Sequence, residues 1–257
     1  MKHIPIAEIT TLDIQKCVND MIQKGLTPIT IHSYIAILKT FFNFAIKIYK
    51  IIKTNPTKDL VLPKLRGSNK IRALNKKDLE DLLSKIKYPR FYIASLIAAK
   101  CGLRIGEILG LTWDRVDFKS ATITVDRQWK EIKKGKWGFS EPKSNNSYRV
   151  VPMPPIVADE LMKFKRQFPV HISNRILPYK SIPGFSSNLA RLYKSLGYNI
   201  SIHDLRHTYA TTLIANGLDF KTVAQLLGHD VKETIRTYSH VTSDMLNNAA
   251  NLINNIF

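Results

Sequence analysis

Apolar side chains recur every three or four residues along much of the chain, the spacing of one face of an α-helix. The first such run follows Thr10 and Thr11, either of which can cap a helix that ends near Gly25. A second run begins at Pro28, a residue favoured in the first helical turn, and continues to about Ile48. The start of the chain is therefore predicted to form a short helical bundle.

The pattern after about residue 70 mixes helical and strand-like spacing. Further helices are predicted at residues 76–86, 91–99, 155–168, 187–196, 204–216 and 220–227. Residues 121–125 alternate polar and apolar side chains, which predicts a strand. Residues 137–141 and 148–151 are predicted to pair as a hairpin around a polar turn at 143–146. The predicted fold class is mainly α with a small antiparallel β-sheet.

The net charge of the chain indicates which class of partner it binds. The chain carries a formal net charge of +19 at pH 7. Such an excess of basic groups favours a polyanionic partner, most often nucleic acid and sometimes an anionic membrane. No membrane span is predicted, because lysines interrupt each apolar stretch before it reaches the roughly 20 residues that a spanning helix needs. The N-terminal stretch MKHIPIAEITT lacks an apolar signal core, so the cytoplasm is the expected compartment.

The chain is predicted to have two domains. Asn55-Pro56 interrupts the helical pattern of the first block. Residues 65–70 form a short basic linker with adjacent glycine and serine. The predicted boundaries are therefore 1–64 for the first domain, 65–70 for the linker and 71–257 for the second domain. The two cysteines form no CxxC pair, so neither a disulfide framework nor a zinc site is predicted.

Three segments of the second block combine residue types that handle phosphate esters. The pairs are Arg104 with Glu107, His203 with Arg206, and His229 with Tyr238 nine positions later. Each pair alone has a structural explanation, such as an ion pair within one helical turn or a cap at a helix end. Together they offer a hydroxyl for covalent attack, guanidinium groups to neutralise phosphate charge and imidazoles for proton transfer.

Taken together, these segments resemble the tyrosine site-specific recombinases, that is, the phage-type integrases and Xer-type recombinases. The segments that carry the resemblance are Gly102-Leu103-Arg104 with Glu107, His203-Asp204-Leu205-Arg206-His207, and Leu227-Gly228-His229 with Tyr238. The resemblance covers about residues 5–250. It implies a helical, SAM-like core-binding segment followed by a tyrosine-recombinase catalytic domain. Residues 1–64 would then be a partial DNA-binding domain and residues 71–257 the catalytic domain.

The resemblance also implies an activity. The chain would be a DNA strand transferase, the integrase of a mobile element, that cleaves and rejoins DNA through a 3′-phosphotyrosine intermediate without metal, cofactor or ATP. The implied catalytic residues are Arg104, Lys143, His203, Arg206, His229 and Tyr238. Tyr238 would be the nucleophile, and the arginines and histidines would bind the phosphate and assist proton transfer. Lys143 would be the acid for the departing 5′-hydroxyl.

Some of these assignments leave alternatives open. Lys143 is identified by its place on the predicted hairpin and not by a tight motif, and three other lysines lie nearby: Lys133, Lys134 and Lys136. Three further polar residues of the motifs are expected to support the site without entering the chemistry: Glu107, Asp204 and His207.

The N-terminal end of the chain departs from the family pattern, and the C-terminal end is predicted to add a helix. The first block matches only the later helices of the family's DNA-binding bundle, so the sequence predicts a truncated N-terminus and weaker DNA binding. A last helix is predicted from Ser243, with an apolar face that docks on a neighbouring subunit or on its own domain.

The expected partners are double-stranded DNA, further copies of the chain in a tetramer on synapsed DNA, and accessory DNA-bending proteins, with no membrane. The expected location is the cytoplasm of a bacterium, at the nucleoid, for a bacterial or phage-encoded protein. Two alternatives remain at this point. One is a truncated DNA-binding remnant that does not recombine. The other is an enzyme like the type IB topoisomerases, which relaxes supercoils by related chemistry.

Overall fold

The computed structural model describes residues 4–65, 72–142 and 147–239. The chain divides into two compact units, Met1–Lys70 and Ile71–Phe257. Both units are built mainly from helices, and the described part of the second unit adds two small antiparallel sheets. The predicted fold class is confirmed.

The described part of the first unit contains two α-helices, α1 (Thr11–Gln23) and α2 (Pro28–Lys47), preceded by a 3-10 turn at Ile6–Glu8. Helix α1 begins with a capping box, in which Thr10 accepts from the backbone N–H of Asp13 and donates through its own N–H to the Asp13 carboxylate. The two helices pack through apolar side chains on their facing sides. The buried residues of this core are Ile14, Val18, Ile31, Ile35 and Phe42.

The opposite side of α2 is also apolar but exposed. Its exposed side chains include Ile29, Ile37, Phe41, Phe44 and Ile48. Among the described residues, α2 is the one helix long and apolar enough to cross a membrane, by length and composition only. Only two lysines interrupt it, so the charge argument from sequence does not by itself remove it as a candidate. This is weak evidence for a span, because the core helix of a water-soluble protein passes the same test.

The second unit is organised around helix α4, most of whose side chains are buried. Helix α4 packs against α6 and α8. The helices described in this unit are α3 (Lys76–Lys85), α4 (Pro89–Cys101), α5 (Ile105–Gly110), α6 (Pro155–Gln167), α7 (Ile182–Ser195), α8 (Ile202–Ala215), α9 (Phe220–Leu227) and α10 (Val231–Tyr238). Helix α10 was not predicted from the sequence, and the helix predicted from Ser243 lies outside the described residues.

The strands form two separate sheets. Their bounds are β1 (Val116–Asp117), β2 (Thr122–Val125), β3 (Gln128–Lys133), β4 (Lys136–Ser140) and β5 (Arg149–Pro152). One sheet has the order β1-β2-β5, and the other is the hairpin β3-β4. Ile123 of β2 lies opposite Val151 of β5, and both side chains are fully buried in the core of the unit.

The predicted hairpin between residues 137–141 and 148–151 is wrong. Strand β4 pairs with β3, whereas β5 pairs with β2 in the other sheet. The β3-β4 turn contains Gly135 at a φ of 76°, and the backbone N–H of this glycine donates to Glu131. Strand β3 is not predicted by the sequence, because its side chains are mostly exposed and follow no alternating apolar pattern.

Helix α5 packs so closely on β3 that its last residue must be small. A Cβ atom placed on Gly110 would lie 2.7 Å from the backbone nitrogen of Trp129 and 2.9 Å from the carbonyl carbon of Gln128. Both neighbours are backbone atoms, so neither can rotate away. This contact sets the distance between the β3-β4 hairpin and helix α5, whose N-cap is Arg104.

We therefore expect Gly110→Ala to lower the free energy of unfolding by about 1–3 kcal/mol, the usual cost of overpacking a core. Chemical denaturation followed by circular dichroism measures the change. The matched control is Gly138→Ala, whose added methyl group would meet only the far end of the flexible Ile132 side chain. Equal stability of the two variants would contradict the packing argument.

Candidate active site

The site begins at the turn between α4 and α5. Gly102 ends α4 in the left-handed conformation, with a φ of 67°. Arg104 then caps α5, and its backbone N–H donates to Glu107 Oε2 at 2.8 Å. Its side chain donates to Glu107 Oε1 at 2.9 Å and to the carbonyl of Gly228 at 2.9 Å. Glu107 and Gly228 thus hold the backbone and the guanidinium group of Arg104 in place.

The Glu107 carboxylate joins three arginines from different elements. It accepts from Arg104, and it accepts two hydrogen bonds from Arg149 of β5 at 2.8 and 3.1 Å. Arg206 of α8 lies 3.8 Å from it. Burial by itself would raise the pKa of Glu107. The Arg149 hydrogen bond and the charges of the three arginines outweigh burial and lower the pKa to about 2. Glu107 is therefore ionised at neutral pH.

The C-terminal end of α9 supplies carbonyl oxygens to the same three arginines. Arg149 donates to the carbonyl of Leu226 at 2.7 Å, and Arg206 donates to that of Leu227 at 2.6 Å. Arg104 donates to the next carbonyl, as described above. The last carbonyls of a helix carry partial negative charge and have no partner within the helix. Helix α9 thus compensates part of the positive charge of the cluster.

Arg206 is the most buried of the three, with a side chain 1% exposed. It also donates to the carbonyl of Gly102 and to His229 Nε2, at 2.9 Å for the latter. Its Nε–H is buried and has no hydrogen-bond partner among the described residues. Burial, and next the charge of Arg104, lower the pKa of Arg206 to about 9, so the guanidinium stays charged at neutral pH.

His229 follows Gly228, which ends α9 in the left-handed conformation. Because a guanidinium can only donate, the His229 Nε2 that contacts Arg206 must accept, and the ring proton lies on Nδ1. This Nδ1 is also buried without a described partner. Burial and the charge of Arg206 lower the pKa of His229 to about 3, so the ring is neutral. Arg206 and His229 therefore present two buried donors that lack an acceptor within the described part of the chain.

Tyr238 is the last residue of α10, and its side chain is 0% exposed. Its hydroxyl lies 2.6 Å from Nδ1 of His207 on α8. Burial raises the pKa of Tyr238 to about 12. Burial and the nearby His203 lower the pKa of His207 to about 4. The hydroxyl is therefore protonated and the imidazole neutral, so Tyr238 can donate to His207 Nδ1.

The remaining predicted residues are His203 and Lys143. His203 is exposed, and its ring packs edge-on against His207 with centroids 4.5 Å apart. Burial of part of the ring and the charge of Arg206 lower its pKa. Lys143 lies outside the described residues, between β4 and β5. The assignment of Lys143 as the acid for the 5′ oxygen therefore stays a prediction. The other candidate lysines stay predictions too, and two of them, Lys133 and Lys136, are exposed at the β3-β4 turn.

Sequence reasoning missed Arg149, which shares Glu107 with the predicted arginines. It gave His207 a supporting role only, whereas the His207 ring directly contacts the predicted nucleophile. The one available signal for His207 was its spacing of four from His203, which places both rings on one face of a helix. Asp204, expected to support the site beside His203, forms a capping box with Ser201 at the start of α8.

We expect Glu107→Gln to lower the free energy of unfolding by about 3–5 kcal/mol at pH 7, because it leaves buried arginines without their counter-charge. The carboxylate protonates near pH 4.5 in the unfolded chain and near pH 2 in the folded one. Its contribution is therefore complete above about pH 4.5 and is lost as the pH falls toward 2. The difference between wild type and variant should shrink over this range.

Denaturant unfolding at several pH values measures this difference. The matched control is Glu160→Gln, which removes a surface ion pair with Lys163 and should change stability by less than about 1 kcal/mol. If Glu107→Gln were as harmless as this control, Glu107 would not be what holds the cluster together.

Comparison with known proteins places this geometry in a family. A XerC-like tyrosine recombinase of Caldanaerobacter subterraneus subsp. tengcongensis is 28% identical over an alignment that covers 98% of this chain and 72% of that protein. The tyrosine recombinase XerC of Bacillus licheniformis is 27% identical, with 93% of this chain and 79% of that protein covered.

Solved structures give the same result for the fold. A structure of the Tn1549 transposon integrase in complex with a circular intermediate DNA matches with a TM-score of 0.78 and 25% identity, covering 91% of this chain and 82% of that one. A lambda integrase dimer bound to a COC′ core site matches with a TM-score of 0.64, 18% identity and coverage of 91% and 66%, and at this identity it shows the fold alone.

The family model of the phage integrase family matches residues 72–245, which is more than half of the chain. This span contains the arginine cluster, the histidines and the buried tyrosine. The chain therefore belongs to the phage integrase family and is a tyrosine recombinase.

Proposed function

We propose that the protein is a site-specific DNA recombinase, the integrase of a mobile element, that cleaves and rejoins DNA through a 3′-phosphotyrosine intermediate without metal or ATP. Membership in the family supports site-specific recombination in general. The intermediate, the mobile-element context and the role of each residue belong to the proposal.

One observation carries the proposal most directly. Arg206 Nε–H and His229 Nδ1–H are buried donors without a described acceptor, although the two side chains already contact each other. Buried donors are nearly always paired, so a pair left open in a polar cluster suits a ligand that accepts hydrogen bonds. The non-bridging oxygens of a phosphodiester are acceptors of this kind and carry the opposite charge.

The proposed reaction divides the work among these groups. Tyr238 attacks the scissile phosphorus and becomes covalently attached to the 3′ end. Arg104 and Arg206 neutralise the oxygens of the crowded transition state, where loss of one donor typically costs about 10²–10³ in rate. His203 and His229 bind the same phosphate. Lys143 protonates the departing 5′ oxygen.

The proposed partners follow from charge and from the relatives. The net charge of +19 favours a polyanion, and the Tn1549 integrase was solved in complex with DNA. We extend double-stranded DNA to this chain as its substrate and assign Met1–Lys70 a DNA-binding role. A tetramer on synapsed DNA, accessory bending proteins and a cytoplasmic, nucleoid-associated location complete the proposal.

A non-recombining remnant is the less favoured alternative. Glu107, the described arginines and Tyr238 form a connected and charge-balanced site, and a decayed gene is under no selection to keep such a site. The relatives that match over most of the chain are recombinases, which also disfavours a supercoil-relaxing topoisomerase.

Covalent trapping tests the nucleophile. The protein is mixed with nicked suicide duplexes made from the DNA that flanks its gene, with EDTA present, and run on a denaturing gel. We expect a protein–DNA adduct that survives the gel and disappears in Tyr238→Phe, since this change removes only the attacking oxygen. DNA binding by the variant should be unchanged in a gel-shift titration.

The matched control for this experiment is Tyr198→Phe, a change of the same type at a tyrosine that hydrogen-bonds Asp81 outside the site. It should leave the adduct intact. An adduct that persists in Tyr238→Phe would exclude Tyr238 as the nucleophile. Tight site-specific binding without any adduct from the wild type would instead support the remnant.

A second substrate tests Lys143. Lys143→Ala should slow cleavage of the ordinary phosphodiester by about 10²–10⁴-fold, the usual contribution of a general acid. The defect should largely vanish when sulfur replaces the bridging 5′ oxygen, because a thiolate, with a thiol pKa of about 8.5, leaves without a proton. Lys136→Ala, at the β3-β4 turn, is the control. A sulfur-suppressed defect in Lys136→Ala instead would transfer the acid role to that lysine.

A further inference from the structure

The contact between His207 and Tyr238 is the starting point. The Tyr238 hydroxyl lies 2.6 Å from His207 Nδ1, and the two rings meet edge to face with centroids 5.6 Å apart. The Tyr238 side chain is 0% exposed. Bulk water does not reach the hydroxyl in this arrangement, so water is not available to take its proton.

The protonation states allow the direction of the hydrogen bond that attack by Tyr238 requires. Burial keeps His207 neutral at pH 7, with a pKa of about 4, and it keeps Tyr238 protonated, with a pKa of about 12. In these states the Tyr238 hydroxyl can donate to Nδ1, and His207 then carries its ring proton on Nε2. An imidazole nitrogen with a free lone pair is thus aimed at the phenolic proton, the one that must leave when the oxygen attacks phosphorus.

We propose that His207 is a further catalytic residue, which orients the Tyr238 hydroxyl and accepts its proton during attack on the scissile phosphate. This inference rests on the proposed function. As the bond from Tyr238 Oη to phosphorus forms, the bond from phosphorus to the 5′ oxygen breaks. The phenolic proton passes to His207 Nδ1, and the 5′ oxygen takes a proton from the acid assigned to Lys143. In rejoining, the 5′-hydroxyl returns its proton to that lysine and His207 returns its proton to Tyr238.

The groups that face His207 fit this role. On its own helix these are His203, whose ring touches it, and the charges of Asp204 and Arg206. From α10 the facing group is Tyr238 itself. Burial, and then the charges of His203 and Arg206, disfavour an imidazolium in the DNA-free protein, so the proton stays on Tyr238 until the anionic phosphate is bound. The phosphate then adds the negative charge that stabilises both the imidazolium and the arginines.

The test is the His207→Asn variant in single-turnover formation of the covalent adduct between pH 6 and 9. An asparagine amide can occupy the place of Nδ1 and accept a hydrogen bond, but it cannot take up a proton. We expect the rate at pH 7 to fall by about 10²–10⁴-fold. We also expect the variant's rate to rise about tenfold per pH unit, because attack then depends on the small fraction of Tyr238 that is already ionised below its pKa of about 12, while the wild-type rate stays nearly flat. His171→Asn, at an exposed histidine that contacts Ser173, is the matched control.

Three results would overturn the inference while leaving the proposed function intact, provided that the wild-type adduct forms and is lost in Tyr238→Phe. One is a wild-type rate and pH profile in His207→Asn. Another is a rate lowered by one constant factor at every pH, which indicates a structural role. The third is a faster rate, which indicates that His207 holds Tyr238 back. Absence of any Tyr238 adduct in the wild type would refute the proposed function, and the inference would fall with it.

Discussion

The arrangement of the site depends on one buried carboxylate. Glu107 lies within 4 Å of guanidinium groups from the α4-α5 turn, from β5 and from α8, so it connects segments far apart in the sequence. Three arginines with one carboxylate leave a net charge of about two, and such an excess is costly to bury. The cluster tolerates it because Arg104 remains one-third exposed and because helix ends supply further negative potential. An anionic phosphate would complete the compensation.

Helix ends explain how the guanidinium groups keep their geometry without more carboxylates. Arg149, Arg206 and Arg104 donate to the carbonyls of Leu226, Leu227 and Gly228, three consecutive residues at the end of α9. Gly228 has a φ of 64° there, a conformation that glycine adopts without strain. The same glycine aims His229 back at Arg206. One helix terminus thus positions three cations and one imidazole, and additional carboxylates would compete with the substrate phosphate for these donors.

The parts of this structure that could be predicted from the sequence are those set by local chemistry. Caps such as Thr10 and Asn75 and terminal glycines such as Gly102 mark helix ends within a residue or two. Strand pairing was not predictable in this way, because the exposed strand β3 has no alternation of apolar side chains. Its partner β4 was therefore predicted to pair with β5. The contact between His207 and Tyr238 depends on how α10 packs against α8, and the residue spacing within either helix does not reveal that packing.

The protonation states give the DNA-free site a consistent character. Burial holds His207 and His229 neutral and Tyr238 protonated, so the charge of the cluster resides on arginines, which neither give nor take protons at neutral pH. Such a site attracts phosphate but contains no phenolate that could attack it. In the proposed reaction, a bound phosphodiester would lower the cost of charging a nearby imidazole, and the phenol would become more acidic as its oxygen bonds to phosphorus. Reactivity would then be coupled to occupancy, which suits the proposed recombinase, since it would meet far more DNA than it should cut.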